Sequence, residues 1–188
     1  RDLFYSLVDE YWNDMNSEYR ALVENEIMHI GLGPNSQSAV YYDKSKFNQL
    51  RFKFDNSDTI EKNYSQVLQD IFVLSVLDGK NNGTFLEIGG AKPFDRNNTA
   101  LLEEKFNWRG VSIELDETFV KEYTKERPKT KVLNLNALDV NYEKLLNENF
   151  QETTIDYLQL DIEPARNTYE CMLKIPFDKY KFAVITYE

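Results

Sequence analysis

The chain has one cysteine, Cys171, and one histidine, His29. A single thiol cannot close an internal disulfide, which fits a reducing compartment and a cytoplasmic location. Cys171 follows Tyr169-Glu170 in an amphipathic stretch and reads as a small buried hydrophobe. His29, between Met28 and Ile30, has no Cys or His partner for a zinc site, and the sequence assigns no metal. No run of about 18 apolar residues occurs, so no membrane span is expected. Bases are scarce as well: 22 Lys and Arg face 32 Asp and Glu, a net charge of −10. Phosphate binding relies on Lys and Arg, and no basic stripe interleaved with aromatics is present, so nucleic acid is not an expected partner. Asn63-Tyr64-Ser65, Asn82-Gly83-Thr84 and Asn97-Asn98-Thr99 match the glycosylation triplet, but in a chain rich in asparagine and without a secretory signal they are read as chance.

What is present is a nucleotide-binding pattern. The apolar run Thr84-Phe85-Leu86-Glu87-Ile88 breaks at Gly89-Gly90, passes a polar loop and enters a helical stretch. A second apolar run, Val111-Ser112-Ile113, then ends on Glu114. This is the strand, glycine turn, helix, strand, acid order of a βαβ unit, with the acid at the roughly 20–30 residue spacing of a first crossover. Glycines allow close backbone approach to a ligand, and Glu114 is placed to accept hydrogen bonds from both hydroxyls of a ribose. The loop lacks the third glycine of GxGxxG and any GKS/T phosphate cradle. It carries Glu87 ahead of the glycines, where a carboxylate repels a pyrophosphate but suits the charged amino group of S-adenosylmethionine (SAM). The pattern favours a methyl donor over NAD or ATP.

Four blocks extend the pattern. They are Ser65-Gln66-x-x-Gln69-Asp70; Phe85-Leu86-Glu87-Ile88-Gly89 followed by Asn98-Thr99-x-x-Leu102-Glu103; Trp108-x-Gly110-x-x-Ile113-Glu114; and Ile155-Asp156-x-Leu158-x-Leu160-Asp161-x-Glu163, with Val184-Ile185-Thr186-Tyr187-Glu188 behind them. Together, from Tyr64 to Glu188, they resemble the FkbM-like family of class I SAM-dependent methyltransferases. The resemblance implies a Rossmann-like class I methyltransferase sheet, mostly parallel and with helices on both faces. It also implies SAM as cofactor, a small-molecule or glycan hydroxyl as acceptor, and a place near the cofactor for the helix that carries Gln66. The chain departs from the family at Ala91-Lys92-Pro93, where an Asn-Asp-Gly-like tripeptide is usual, and at Pro164 and Arg166. Proline fixes φ and removes a donor, so both loops are expected to take their own shape.

The apolar positions from Leu3 to Val23 recur at helical spacing and Gly31-Leu32-Gly33-Pro34 closes them. Residues 35–60 are polar, with an alternation at Leu50–Phe54 and a turn at Asp55-Asn56-Ser57, and read as a linker, lid or hairpin. We therefore divide the chain into an N-terminal helical extension with linker or hairpin (1–60) and a SAM-binding domain (61–188). In the second part helices are expected over 65–77, 98–106, 117–125, 141–148 and 167–174. Strands are expected over 84–88, 111–114, 131–135, 155–161 and 181–187. Alternation of this kind implies a parallel sheet with ligands beyond the carboxyl ends of its strands. Class I methyltransferases add two strands after the fifth, so this domain is expected to be incomplete at its C-terminal side.

The candidate cofactor contacts are Glu87, Gly89 and Gly90 at the methionine end, Glu114 at the ribose, and Gln66. Asn136 and Ala137 are expected beside adenine, with Asp139 either accepting from its amino group or capping the following helix. Asp161 and Glu163, at the end of the fourth strand, are the catalytic candidates. They are read as base and spectator, as a shared cation site with Glu188 nearby, or as loop-holding carboxylates. Arg166 either pairs with one of these acids or binds an anionic acceptor. Trp108, Asn98 and Thr99 are read as packing and capping residues. The main reading is a SAM-dependent O-methyltransferase. The alternatives are a non-catalytic SAM- or nucleotide-binding module and, more weakly, an NAD-dependent enzyme; a homo-oligomer stays open.

Overall fold

The computed structural model describes residues 54–188, which belong to one compact unit, Tyr41–Glu188. The expected N-terminal helix, and the linker or hairpin up to residue 53, lie outside the described residues. Strands β1 (Thr84–Ile88), β2 (Arg109–Glu114), β3 (Thr130–Asn134), β4 (Thr154–Leu160) and β5 (Lys181–Tyr187) form a sheet in the order β3-β2-β1-β4-β5. Every neighbouring pair is parallel. The helices are α1 (Gln69–Val76), α2 (Ala100–Phe106), α3 (Glu117–Glu126), α4 (Tyr142–Asn149) and α5 (Ala165–Met172). The architecture is the expected Rossmann-like α/β one.

Alternate residues of a strand face opposite sides, so a strand covered on both faces is expected to be largely apolar. β1 follows this except at Glu87: Phe85 joins a core with Ile71, Leu74, Leu101, Leu102, Trp108 and Tyr157, while Leu86 and Ile88 join another with Val111, Ile113, Leu145, Leu158, Leu160 and Cys171. Each such side chain contributes about 1.5–3 kcal/mol by leaving water. Phe54 and Ile60 are buried in the first core too. Cys171 is buried as expected, and burial pushes its thiol pKa up. Trp108 is fully buried and its indole N–H donates to the Lys80 carbonyl at 2.6 Å, a packing role as expected.

Caps set the helix starts. Asp116 accepts from the Thr118 amide at 2.7 Å ahead of α3, and Asn141 from the Lys144 amide at 3.0 Å ahead of α4. Asn107, at φ 58, closes α2 in the left-handed conformation that short polar residues tolerate. The expected helix over 65–77 starts late, at Gln69. The Asp70 carboxylate accepts from the Tyr64 amide at 2.8 Å, the Ser65 amide at 3.1 Å and the Ser65 hydroxyl at 2.5 Å. This side-chain bonding draws residues 64–65 into a turn that competes with helix, and Leu68 takes a φ of 68. Gln66, expected on this helix, therefore precedes α1.

One lateral row of the sheet is polar. Register pairs Ser112 with Glu87, Glu87 with Gln159, and Gln159 with Thr186 across β2, β1, β4 and β5. β1 and β4 are also where the strand order reverses, the point at which open α/β sheets bind ligands.

Candidate active-site crevice

A cavity of about 490 Å³ opens beyond the carboxyl ends of β1, β2 and β4. Its lining gathers residues far apart in sequence: Gln66, Glu87, Gly89, Gly90, Glu114, Asn136, Ala137, Asp161 and Glu163. Of the candidate positions Asp139, Arg166 and Glu188 lie outside that lining.

Glu87 differs from its expected role. It is 1% exposed. Oε1 accepts from Asn97 Nδ2 at 3.1 Å and Thr99 Oγ1 at 2.8 Å; Oε2 accepts from Ser112 Oγ at 2.7 Å and the Tyr123 hydroxyl at 2.8 Å. A carboxylate has about four acceptor sites, so internal donors fill Glu87 and leave nothing for a ligand ammonium. Its charge is spent on fixing the loop. Asn97 Nδ2 also donates to the Gly90 carbonyl at 3.0 Å, and the Tyr123 hydroxyl lies 3.1 Å from the same oxygen. Burial, with the Glu87 charge beside it, pushes the Tyr123 hydroxyl well above its ordinary pKa, so it stays a donor.

This packing by itself demands both glycines, which also line the cavity. A Cβ on Gly89, at φ 82, would lie 1.9 Å from the Asp161 carbonyl. One on Gly90 would lie 2.5 Å from both Ser112 Oγ and the Tyr123 hydroxyl and 2.7 Å from Glu87 Oε2. Gly90→Ala is expected to destabilise by about 1–3 kcal/mol, read as a lower urea midpoint at unchanged m, because its neighbours are locked in one network.

Behind Glu87 stands Arg127, 1% exposed. Its Nε donates to Glu103 Oε2 at 2.6 Å, Nη1 to the Pro93 carbonyl and Asn97 Oδ1 at 3.0 Å each, and Nη2 to Thr99 Oγ1 at 3.0 Å and Thr130 Oγ1 at 3.1 Å. The loop 91–97 is thus tied to the end of α3 through its own backbone. Asn97, 1% exposed, caps α2 by accepting from the Ala100 amide at 2.8 Å. With Asn97 and Asn63 both buried, two of the three glycosylation triplets have inaccessible acceptors.

Glu114 turns toward the glycine loop. Oε2 accepts from the Ala91 amide at 2.8 Å and Oε1 from the Asp116 amide at 2.8 Å. Those two bonds occupy half of its acceptor capacity and hold the carboxylate at the cavity wall, leaving the other lone pairs for a ligand. The α3 cap is Asp116, not Glu114.

Neither a protein-family model nor a curated relative matches. One solved structure that it matches is a candidate sarcosine dimethylglycine methyltransferase from Galdieria sulphuraria, at 12% identity and a TM-score of 0.38. That match covers 58% of this chain and 44% of the other, so this chain spans less than half of that protein's length. Function is therefore read from the crevice itself.

β4 ends at Leu160, one residue earlier than expected, so Asp161 and Glu163 stand on the loop after it. The Asp161 amide donates to the Ile88 carbonyl at 3.0 Å and pins that loop to β1. Thr168 fixes the loop again, donating to the Ile162 carbonyl at 2.8 Å and accepting from the Ile162 amide at 3.0 Å. Desolvation first, then the Glu188 and Glu163 charges, push the half-buried Asp161 carboxyl up to about 6. Glu163 is exposed at the rim. Glu188 accepts from Gln69 Nε2. Among the described residues no group of three or more His, Cys, Asp or Glu is placed to hold a metal ion, so these acids are not gathered as a cation site. Arg166 bonds Glu170 at 2.9 Å on the exposed face of α5, not the acids of the crevice.

On the opposite wall, Asn136 accepts from the Leu138 amide at 3.1 Å and donates to Asp139 Oδ2 at 2.9 Å. Asp139 is exposed and turned to Asn136, and the cap of α4 is Asn141 instead. Leu135, Leu138, Phe119 and Ile113 add an apolar surface between Glu114 and Asn136.

Two lining residues carry bonds left open. Gln159 Oε1 and Asn98 Oδ1 are buried atoms with no hydrogen-bond partner. The side chains are 2% and 5% exposed. Asn98 is packed inside as expected and Thr99 stands at the N-cap of α2, while the side-chain bonds to the first amides come from Asn97, which accepts from Thr99 and Ala100. Sequence reasoning missed Asn97, Tyr123, Arg127 and Gln159 as site residues. The one available signal was polar Gln159 inside an apolar strand run.

Proposed function

We propose that the chain is a SAM-dependent methyltransferase that acts on a hydroxyl of a small molecule or glycan. The observation that carries this reading is Glu114. Its carboxylate sits at the carboxyl end of β2, beside the switch point, turned to the Ala91 amide across an open crevice and with acceptor capacity to spare. That is where a ribose diol can be held, with the apolar surface of Phe119, Leu135 and Leu138 next to it for a purine ring. The acceptor class rests on the family resemblance.

The residues present fit SAM in three respects. They offer a free carboxylate edge for the diol, an apolar slot beside Asn136 and Ala137, and unpaired buried amides where a polar end would lie. Bound there, SAM supplies the electrophilic methyl group. The chain's task is then orientation and proton removal. Positioning of this kind can contribute roughly 7–11 kcal/mol to lowering a barrier. Asp161, raised to about 6, is ionised near neutral pH yet more basic than an ordinary carboxylate, which suits it to take a hydroxyl proton. Glu163, at the rim, raises that basicity by its charge.

Glu114→Gln is expected to weaken S-adenosylhomocysteine binding by about 10-fold or more, since a hydrogen bond to a charged group is worth about 1.5–3 kcal/mol. Calorimetry measures it, and an unchanged affinity contradicts the diol role. Transfer is tested by incubating the protein with isotopically labelled SAM and a panel of sugars and small alcohols. Binding without transfer to any acceptor favours the alternative of a binding module, for which the chain's own 91–93 and 164–166 loops are the supporting feature.

A further inference from the structure

Gln69 opens α1 and is 8% exposed. Its side-chain amide is engaged at both ends: Oε1 accepts from the Val67 amide at 2.8 Å, and Nε2 donates to Glu188 Oε1. Those partners fix which way round the amide sits. A flipped one would set its NH2 against the Val67 N–H and its oxygen against a carboxylate. The turn before Gln69 is held in its own right. Asp70, fully buried, gathers the Tyr64 and Ser65 amides, and the Tyr64 carbonyl accepts from the Asn97 amide at 3.0 Å. Gln69 is therefore a fixed donor aimed at the end of β5.

Glu188 stands next to the loop that carries Asp161. Its amide donates at 3.0 Å to the carbonyl of Leu160, the residue before Asp161. Glu188 is exposed, so an untethered carboxylate there would turn to water and away from another acid. The tether is a neutral amide. A Lys or Arg in its place would hold Glu188 but offset its charge, whereas Gln69 holds it and leaves the charge to act. Desolvation is the main cause of the raised Asp161 carboxyl; of the two charges that add to it, Glu188 comes ahead of Glu163 on the same loop. The other charged groups lining the crevice are engaged elsewhere. Glu87 is filled by internal donors, Glu114 holds the Ala91 and Asp116 amides, and Lys92 and Arg96 face Asp95.

We propose that Gln69 is a positioning residue for the proton acceptor: its amide holds the Glu188 carboxylate alongside Asp161. This role rests on the methyltransferase reading, in which Asp161 is the base. A second negative charge beside a base strengthens its hold on the proton it takes. The two glutamines of Gln66-x-x-Gln69 then divide the work, Gln66 lining the crevice and Gln69 acting from behind it.

The test is an NMR titration of the Asp161 carboxyl in the full chain, labelled with 13C at aspartate and assigned with Asp161→Asn. The wild type should titrate near 6. Gln69→Met removes the tether at similar volume and Glu188→Gln removes the charge. Each should lower the midpoint by about 1 unit, a typical size for one neighbouring charge. The double variant should go no lower than Glu188→Gln alone, because both changes remove the same effect. Gln69→Asn, whose shorter amide does not span both partners, is the second variant should methionine disturb the fold, and it should give the same shift. A midpoint unchanged in Gln69→Met and Gln69→Asn but lowered in Glu188→Gln means that Glu188 keeps its place unaided, and overturns the proposal. A midpoint unchanged in all of them, or a double variant lower than Glu188→Gln, overturns it as well. The titration needs neither cofactor nor acceptor, so its failure is distinct from failure of the methyltransferase reading, which shows as an absence of S-adenosylhomocysteine binding in calorimetry.

Discussion

Arg127→Met is expected to cost about 3–5 kcal/mol of stability, the penalty of breaking a buried ion pair from one side. The guanidinium is 1% exposed and donates to Glu103, the Pro93 carbonyl, Asn97, Thr99 and Thr130. Methionine fills much of the same volume but gives none of these hydrogen bonds, and it leaves the Glu103 carboxylate buried without its cation. Chemical denaturation should show a lower midpoint at unchanged m. The double variant Arg127→Met/Glu103→Gln should recover part of the loss, because the stranded charge is gone. A cost under about 1 kcal/mol would mean that water reaches the cluster and that the ion pair behaves as a surface one. The substitution should also weaken adenosyl binding, since Pro93 and Asn97 belong to the loop that faces Glu114.

Asp161→Asn is expected to lower turnover by about 10²- to 10⁴-fold, the usual contribution of a positioned general base. The pH dependence carries the sharper signature. The Asp161 carboxyl is raised from 3.8 to about 6, by desolvation first and then by Glu188 and Glu163. Activity should therefore rise through pH 6 to a plateau, and the variant's residual rate should lack that limb. The stability sign runs the opposite way. A carboxyl with a raised folded pKa binds its proton more tightly in the folded state, so its contribution is complete below about 4 and is lost as pH rises through 6. At pH 7–8 the asparagine variant should be at least as stable as the wild type while nearly inactive. Full activity with a shifted limb would move the base to Glu163.

Most of the fold was legible because the strands are apolar runs bounded by Gly, Asn and Asp turns. β1 and β5 fall where the runs place them, and α3 and α4 start one residue after their capping Asp116 and Asn141. The errors come from side chains that bond to backbone or to each other across long separations. Asp70 reaches back to residues 64–65 and delays α1; nothing in a 3.6-residue period reports that. Glu87 read as a ligand group because its acidity is visible in the sequence while its four donors, from residues 97, 99, 112 and 123, are not. The glycine pair was legible as a turn but not as the product of the Tyr123 and Asp161 packing against it. Glu114 was legible because strand end and acid coincide in one short motif.

Glu114 is the residue on which the proposed activity depends. A crystal structure of the full chain soaked with S-adenosylhomocysteine tests it directly. Both ribose hydroxyls should lie within about 2.5–3.0 Å of the Glu114 carboxylate, as O–H···O bonds to an ionised acceptor do. The Ala91 and Asp116 amide contacts should be retained. A ligand seated elsewhere, or one in the crevice with its ribose turned away from Glu114, would contradict the account.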